Sequence, residues 1–180
     1  MTRSPSEHEL DLRVNELAQL FNSMDPTPFL NKDLDREAEA YIESWAMGLP
    51  RDSRLRLSIH LGRLPIEDEP STLLTEAIHN YFEYKGNLAR GELKQLLRDG
   101  RTSLLIGLSF VTACLIGAEA IAQAGTHTAF TIARESLTIV GWVAMWRPLQ
   151  TFLYDWWPLA RRIRVYQNLS HAHVRVVQAQ

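Results

Sequence analysis

Residues Ser103–Ala124 read SLLIGLSFVTACLIGAEAIAQA. Spanning a bilayer core takes about 20 apolar helical residues at about 1.5 Å each, and this stretch is long enough. A core helix of a soluble protein is usually shorter and more amphipathic. Here Glu119 is the only charged residue between Thr102 and Ala133. A transmembrane helix is expected, and the rest of the chain is read outward from it.

After Gly125-Thr126-His127-Thr128 comes a second apolar segment, 129–150, densest at Leu137–Trp146. Arg134, Glu135 and Arg147 fall within it, near its two ends, where long side chains reach the headgroups. Pro148 permits a bend. The expected fold is therefore an α+β membrane protein. A two-helix transmembrane hairpin (102–150, with spans at about 103–124 and 129–150) is inserted in a small cytoplasmic α+β domain with about three short strands. Residues 1–101 supply that domain and a juxtamembrane helix. Residues 151–180 supply an interfacial helix and a strand that returns to the domain.

Charge distribution sets the orientation. Lys85, Arg90, Lys94, Arg98 and Arg101 precede the first span, and Arg161, Arg162 and Arg164 follow the second, with Arg147 at its edge. The loop 125–128 has no Lys or Arg. Short loops rich in these residues stay inside, so both termini are expected to be cytoplasmic. The opening Met1–His8 has no apolar core, so no signal peptide is expected. Phe152, Leu153, Trp156 and Trp157 suit the interface, where amphipathic rings are favoured. Arg147, Arg161, Arg162 and Arg164 would form a basic belt beside them.

The averages over the chain hide this layout. Its 180 residues are 46 % hydrophobic with a net charge of −2, values typical of a soluble domain. Residues 1–70 carry 8 basic and 14 acidic side chains, whereas 102–180 carry 6 and 3. The apolar content excludes intrinsic disorder. The missing basic excess argues against a nucleic-acid partner. A single cysteine, Cys114, excludes an intramolecular disulfide and a Cys-based zinc site.

Outside the apolar region, alternation predicts strands at Leu10–Val14, Leu55–Leu61 and His173–Val177. These are too short to stand alone and should share a sheet. A short helix is expected over Leu17–Phe21, ending by Asp25-Pro26. Another starts at Asp33 or Asp35, either of which can cap it, and stops at Gly48–Pro50. Pro65 and Pro70 bracket an acidic loop, Glu67-Asp68-Glu69. Leu74, Ile78, Tyr81 and Leu88 outline an amphipathic helix that Leu93, Leu96 and Leu97 continue, with a break possible at Gly86 or Gly91.

Few residues could carry chemistry. Glu119 lies deep in the first span and needs a partner or neutralisation. It could pair with Arg134 across the hairpin, or relay ions or protons, with Arg134 and Glu135 nearby. Ser109, Ala113 and Gly117 are four apart and let helices approach closely, either another copy of the chain or the second span through Gly141. His171 and His173 lack nearby Cys or carboxylate ligands, so no metal site is expected. Asp25, Asp33 and Asp35 suit turn and cap duties better than a calcium ladder. There is no phosphate-cradling glycine loop, nucleophile elbow or zinc-protease motif. No catalytic residue, cofactor or enzymatic activity is expected.

Leu20-Phe21-Asn22-Ser23-Met24-Asp25-Pro26-Thr27-Pro28-Phe29, followed by Lys32-Asp33-Leu34-Asp35, resembles the opening of a family of small bacterial membrane proteins of unknown function. Glu135-Ser136-Leu137-Thr138-Ile139-Val140-Gly141-Trp142-Val143-Ala144-Met145-Trp146-Arg147-Pro148-Leu149 and Leu153-Tyr154-Asp155-Trp156-Trp157-Pro158 resemble the same family. The resemblance implies a bacterial inner-membrane protein and transfers no catalytic residue. The function expected is an assembly or interaction module in the bilayer that forms a homo-oligomer, with an unidentified protein as a further possible partner. The alternatives are a small channel or transporter subunit using Glu119, Arg134 and Glu135, and an interfacial lipid-acting enzyme with a pocket near Arg147, Asp155 and His171.

Overall fold

The computed structural model describes residues 7–50, 53–62, 70–125 and 127–178. The acidic run Glu67-Asp68-Glu69 and Pro65 lie outside them. The chain combines a small three-stranded sheet with helices and divides into two compact units, Met1–Arg90 with Arg161–Gln180, and Gly91–Ala160.

In the first unit, β1 (Glu7–Val14), β2 (Arg54–Leu61) and β3 (His173–Gln178) form one sheet in the order β1-β2-β3. Both pairings are parallel, with Leu10 opposite Leu57 and Leu57 opposite Val174. Parallel neighbours need long crossovers, and both crossovers here contain helices. Leu10, Leu12, Leu55, Leu57, Ile59, Leu61 and Val174 bury one face of the sheet. They share a core with α1 (Arg36–Met47), the start of α2 (Pro70–Ala124) and the end of α5 (Trp156–Leu169).

The other face is polar and cross-linked along the strand direction. Arg56 donates to Glu7 at 2.6 Å, Ser58 to Glu9, and the His60 ring bonds Asp11 at 3.1 Å. Each carboxylate lies two residues before the β1 residue directly opposite its partner. Pairing of this kind holds a polar sheet face together without apolar cover.

The loop before α1 is fastened by its own carboxylates. The short helix expected over Leu17–Phe21 is a 3-10 helix, Leu17–Leu20. Phe21 and Leu34 form an isolated antiparallel bridge. Asp25 accepts from the Thr27 amide at 2.9 Å and the Asp33 amide at 2.7 Å. Asp35 is the N-cap of α1 and accepts from the Glu37 and Ala38 amides. The Asp33 and Thr27 amides hold the Asp25 carboxyl below its ordinary value. A lowered folded pKa contributes stability above the unfolded value and loses it as pH falls through the folded one. Asp25→Asn is therefore expected to be less stable than the parent near neutral pH, with the gap closing in acid. Denaturant unfolding at about pH 7 and about pH 3 checks this; an equal gap at both values would refute it.

Helix α2 runs unbroken through Gly86 and Gly91, the two positions at which the sequence allowed a break. A glycine costs a helix about 1 kcal/mol relative to alanine, too little to interrupt one anchored by buried Phe82 and Ala89. Within α2, Ser71–Gln123 is long and apolar enough to cross a membrane by length and composition, and 17 % of its most apolar window is buried.

The expected second helix, 129–150, is not continuous. α3 (Thr128–Ala144) stops at Met145, and α4 (Trp146–Gln150) follows. Pro148 has no N–H for the Ala144 carbonyl, four residues back, and its ring crowds that position. A π-helical turn, Thr151–Asp155, then leads into α5.

Candidate functional site

Two regions concentrate features beyond ordinary packing, one in each unit. In the second unit, α3 lies antiparallel to the distal part of α2. A Cβ on Gly141 would sit 3.1 Å from Cys114 Cβ, and one on Gly117 would sit 2.9 Å from Leu137 Cδ2. Near the other end, a Cβ on Gly107 would meet Met145 Sδ at 3.2 Å. Gly107, Val111, Cys114 and Ala118 thus form the face that α3 covers, with Gly107, Cys114 and Ala118 buried.

Ser109 and Ala113 do not join that face; both are exposed. The Ser109 hydroxyl donates to its own helix at Leu105, and Thr112 donates to Leu108. The anticipated ion pair between Glu119 and Arg134 is not formed among the described residues. Glu119 instead accepts from Gln123 at 3.3 Å, one turn along α2. Glu119, Arg134 and Glu135 are all exposed. At about 100° per residue, Ser109, Thr112, Glu119 and Gln123 share one face of α2, opposite the face packed by α3. The unit also exposes large apolar side chains, among them Leu105 of α2 at 68 % and Trp142 of α3 at 67 % exposure.

Arg147 lines an apolar groove of this unit with Ile106, Phe110 and Pro148. Trp156 and Trp157 are exposed and meet edge to face at 6.0 Å. The arginines expected as a free basic belt have partners in the first unit. Arg161 donates to the Met47 carbonyl at 2.6 Å, closing the end of α1. Arg162 pairs with Glu43 at 3.2 Å. Arg164 stays exposed at a shallow cleft beside Met47 and Pro50.

Those contacts belong to a clasp that the charge pattern did not disclose. Glu39 and Glu43 are one turn apart on α1. Glu39 pairs with Lys85 of α2 at 2.7 Å, and Glu43 accepts from Tyr166 of α5 at 3.1 Å. Burial, then the hydrogen bond and charge of Glu39, push the Tyr81 hydroxyl pKa far up. Burial and the Glu43 carboxylate do the same to Tyr166. Both phenols are thus held neutral as hydrogen-bond donors, which suits structure rather than acid–base work.

The second region is a polar cleft of about 790 Å³ at the N-terminal ends of the three strands. Arg54 and Arg56 reach it from β2, Glu7 from β1, His173 from β3, and Glu83 and Arg90 from α2. His171, in the turn before β3, also lines it and donates through Nδ1 to the Gln167 carbonyl at 2.9 Å. Arg147 and His171, expected to converge on one interfacial pocket, line different clefts in different units. Sequence reading missed Arg54, Arg56 and Arg90 as a group, because the parallel register that gathers them is not a local pattern.

No family model, curated protein or solved structure matches the chain.

Proposed function

We propose that the chain is an integral membrane protein of the bacterial inner membrane, with α2 and the α3–α4 segment as two spans, both termini cytoplasmic, and that it works as an oligomerising assembly module. The observation that carries the reading is the exposed apolar surface of the second unit, with side chains such as Leu105 and Trp142 about two-thirds exposed. Water does not tolerate a contiguous apolar surface of that kind, whereas lipid favours it.

The polar seam supports the oligomer. Ser109, Thr112, Glu119 and Gln123 face away from α3, and an exposed carboxylate in hydrocarbon is costly. A second copy supplies hydrogen-bond partners there, as polar side chains do between membrane helices. Cross-linking in membranes and native mass in lipid nanodiscs are expected to report an oligomer that Glu119→Gln weakens while leaving thermal unfolding unchanged. A monomer in mild detergent and in nanodiscs would overturn the reading.

The same Glu119, which has no ion-pair partner among the described residues, favours a second reading, a small channel subunit in which the seam lines a shared pore. Proton or ion flux in reconstituted liposomes, lost in Glu119→Gln, would select it. Absence of flux under any gradient would remove it.

A further inference from the structure

We propose that the polar cleft at the N-terminal ends of β1, β2 and β3 binds a phosphate monoester. Three arginines line it against two glutamates, and the Glu7 carboxylate is already taken by Arg56 at 2.6 Å. Arg54 and the part of the Arg90 guanidinium not donating to Asn87 therefore face the cleft with only Glu83 among the described lining residues to oppose their charge.

Two buried polar atoms point the same way. Ser53 lines the cleft at 8 % exposure, and its Oγ has no hydrogen-bond partner among the described residues. Arg56 Nε is likewise buried and without a partner among the described residues. Buried donors without acceptors are rare and destabilising, and each can be satisfied by a ligand oxygen or by a water that the ligand holds. Charge-assisted bonds from arginine to phosphate are among the stronger ones.

The donor count selects the anion. Arg54, Arg90, Arg56 Nε and the Ser53 hydroxyl exceed what the two oxygens of one carboxylate can serve. A monoester offers three terminal oxygens and up to two charges. The volume selects an organic ester over the bare ion, since about 790 Å³ is the size of a small-molecule site.

The phosphate could belong to a soluble metabolite or to a lipid headgroup, and glycerol 3-phosphate probes the chemistry they share. Isothermal titration of the intact chain in nanodiscs is expected to show saturable binding. Arg54→Gln and Arg90→Gln should each weaken it about tenfold, the scale of one lost charge-assisted bond. Arg175→Gln, on the polar sheet face outside the cleft, should leave it unchanged. If phosphatidic acid in the nanodisc competes with the probe, the ligand is a lipid headgroup; if it does not, the ligand is soluble. Circular dichroism and thermal unfolding establish that each variant is folded. Absence of saturable binding, or equal weakening in Arg175→Gln, overturns the proposal.

Discussion

Phe82→Ala is expected to destabilise the first unit by about 3–5 kcal/mol, the usual range for deleting a buried aromatic ring. Phe82 is fully buried and is the largest of the completely buried side chains among the described residues. Its ring meets Tyr81 edge to face at 5.4 Å and lies 6.1 Å from Tyr166 of α5. It therefore joins two helix segments distant in the sequence, and no local rearrangement can fill the space it leaves. The hydroxyl of Tyr166 is committed to Glu43, so its ring cannot tilt inward without losing a hydrogen bond. A domain of ordinary stability has only about 5–15 kcal/mol in total. The variant should consequently show a large drop in denaturation midpoint with little change in slope. A loss below about 1 kcal/mol would mean that the α2–α5 contact is not part of the cooperative core.

The apolar positions of the sheet were legible because each is a local pattern. Leu55, Leu57, Ile59 and Leu61 alternate with Arg56, Ser58 and His60, and all four are buried on one face. Their parallel order was not legible, since nothing local to β2 says which strand lies beside it. The same limit hid the cleft. Arg54 and Arg56 belong to one strand, Arg90 to a distant helix turn, and His173 to the last strand.

The helix contacts show a second limit. Ser109, Ala113 and Gly117 look like one stripe, but steps of four drift about 40° each around a helix with 3.6 residues per turn. Over two steps the row leaves its starting face, so Gly117 packs on Leu137 while Ser109 and Ala113 are exposed. Gly107, Val111, Cys114 and Ala118 alternate steps of four, three and four, which cancels the drift. That pattern was present in the sequence, masked by two large or reactive residue types within it. The role of Arg161 and Arg162 was hidden differently. Their sign was evident, whereas Glu43 and the Met47 carbonyl are brought to them only by the return of α5 to the sheet.

Gly141→Leu is the substitution expected to disturb the second unit most. A Cβ at Gly141 already meets Cys114 Cβ at 3.1 Å and Val111 Cα at 3.7 Å. Alanine needs a shift of a few tenths of an ångström, which α3 can accommodate. Leucine adds three further carbons toward the backbone of α2, and flexible side chains are not what it meets, so the helices must separate. Overpacking of this kind costs about 1–3 kcal/mol where the structure can relax and more where it cannot. Cys114 reports the outcome directly, because it is the only cysteine of the chain and is buried beneath Gly141. In mild detergent, Gly141→Leu should raise the rate of Cys114 alkylation by about tenfold or more, the factor that corresponds to about 1.4 kcal/mol of lost packing. Gly141→Ala should stay near the parent rate. A parent-like rate in the leucine variant would mean that α3 does not rest on α2 at this position. The test needs no knowledge of the protein's partner, and it separates the helix contact made within one copy from the Glu119 seam on the opposite face of α2.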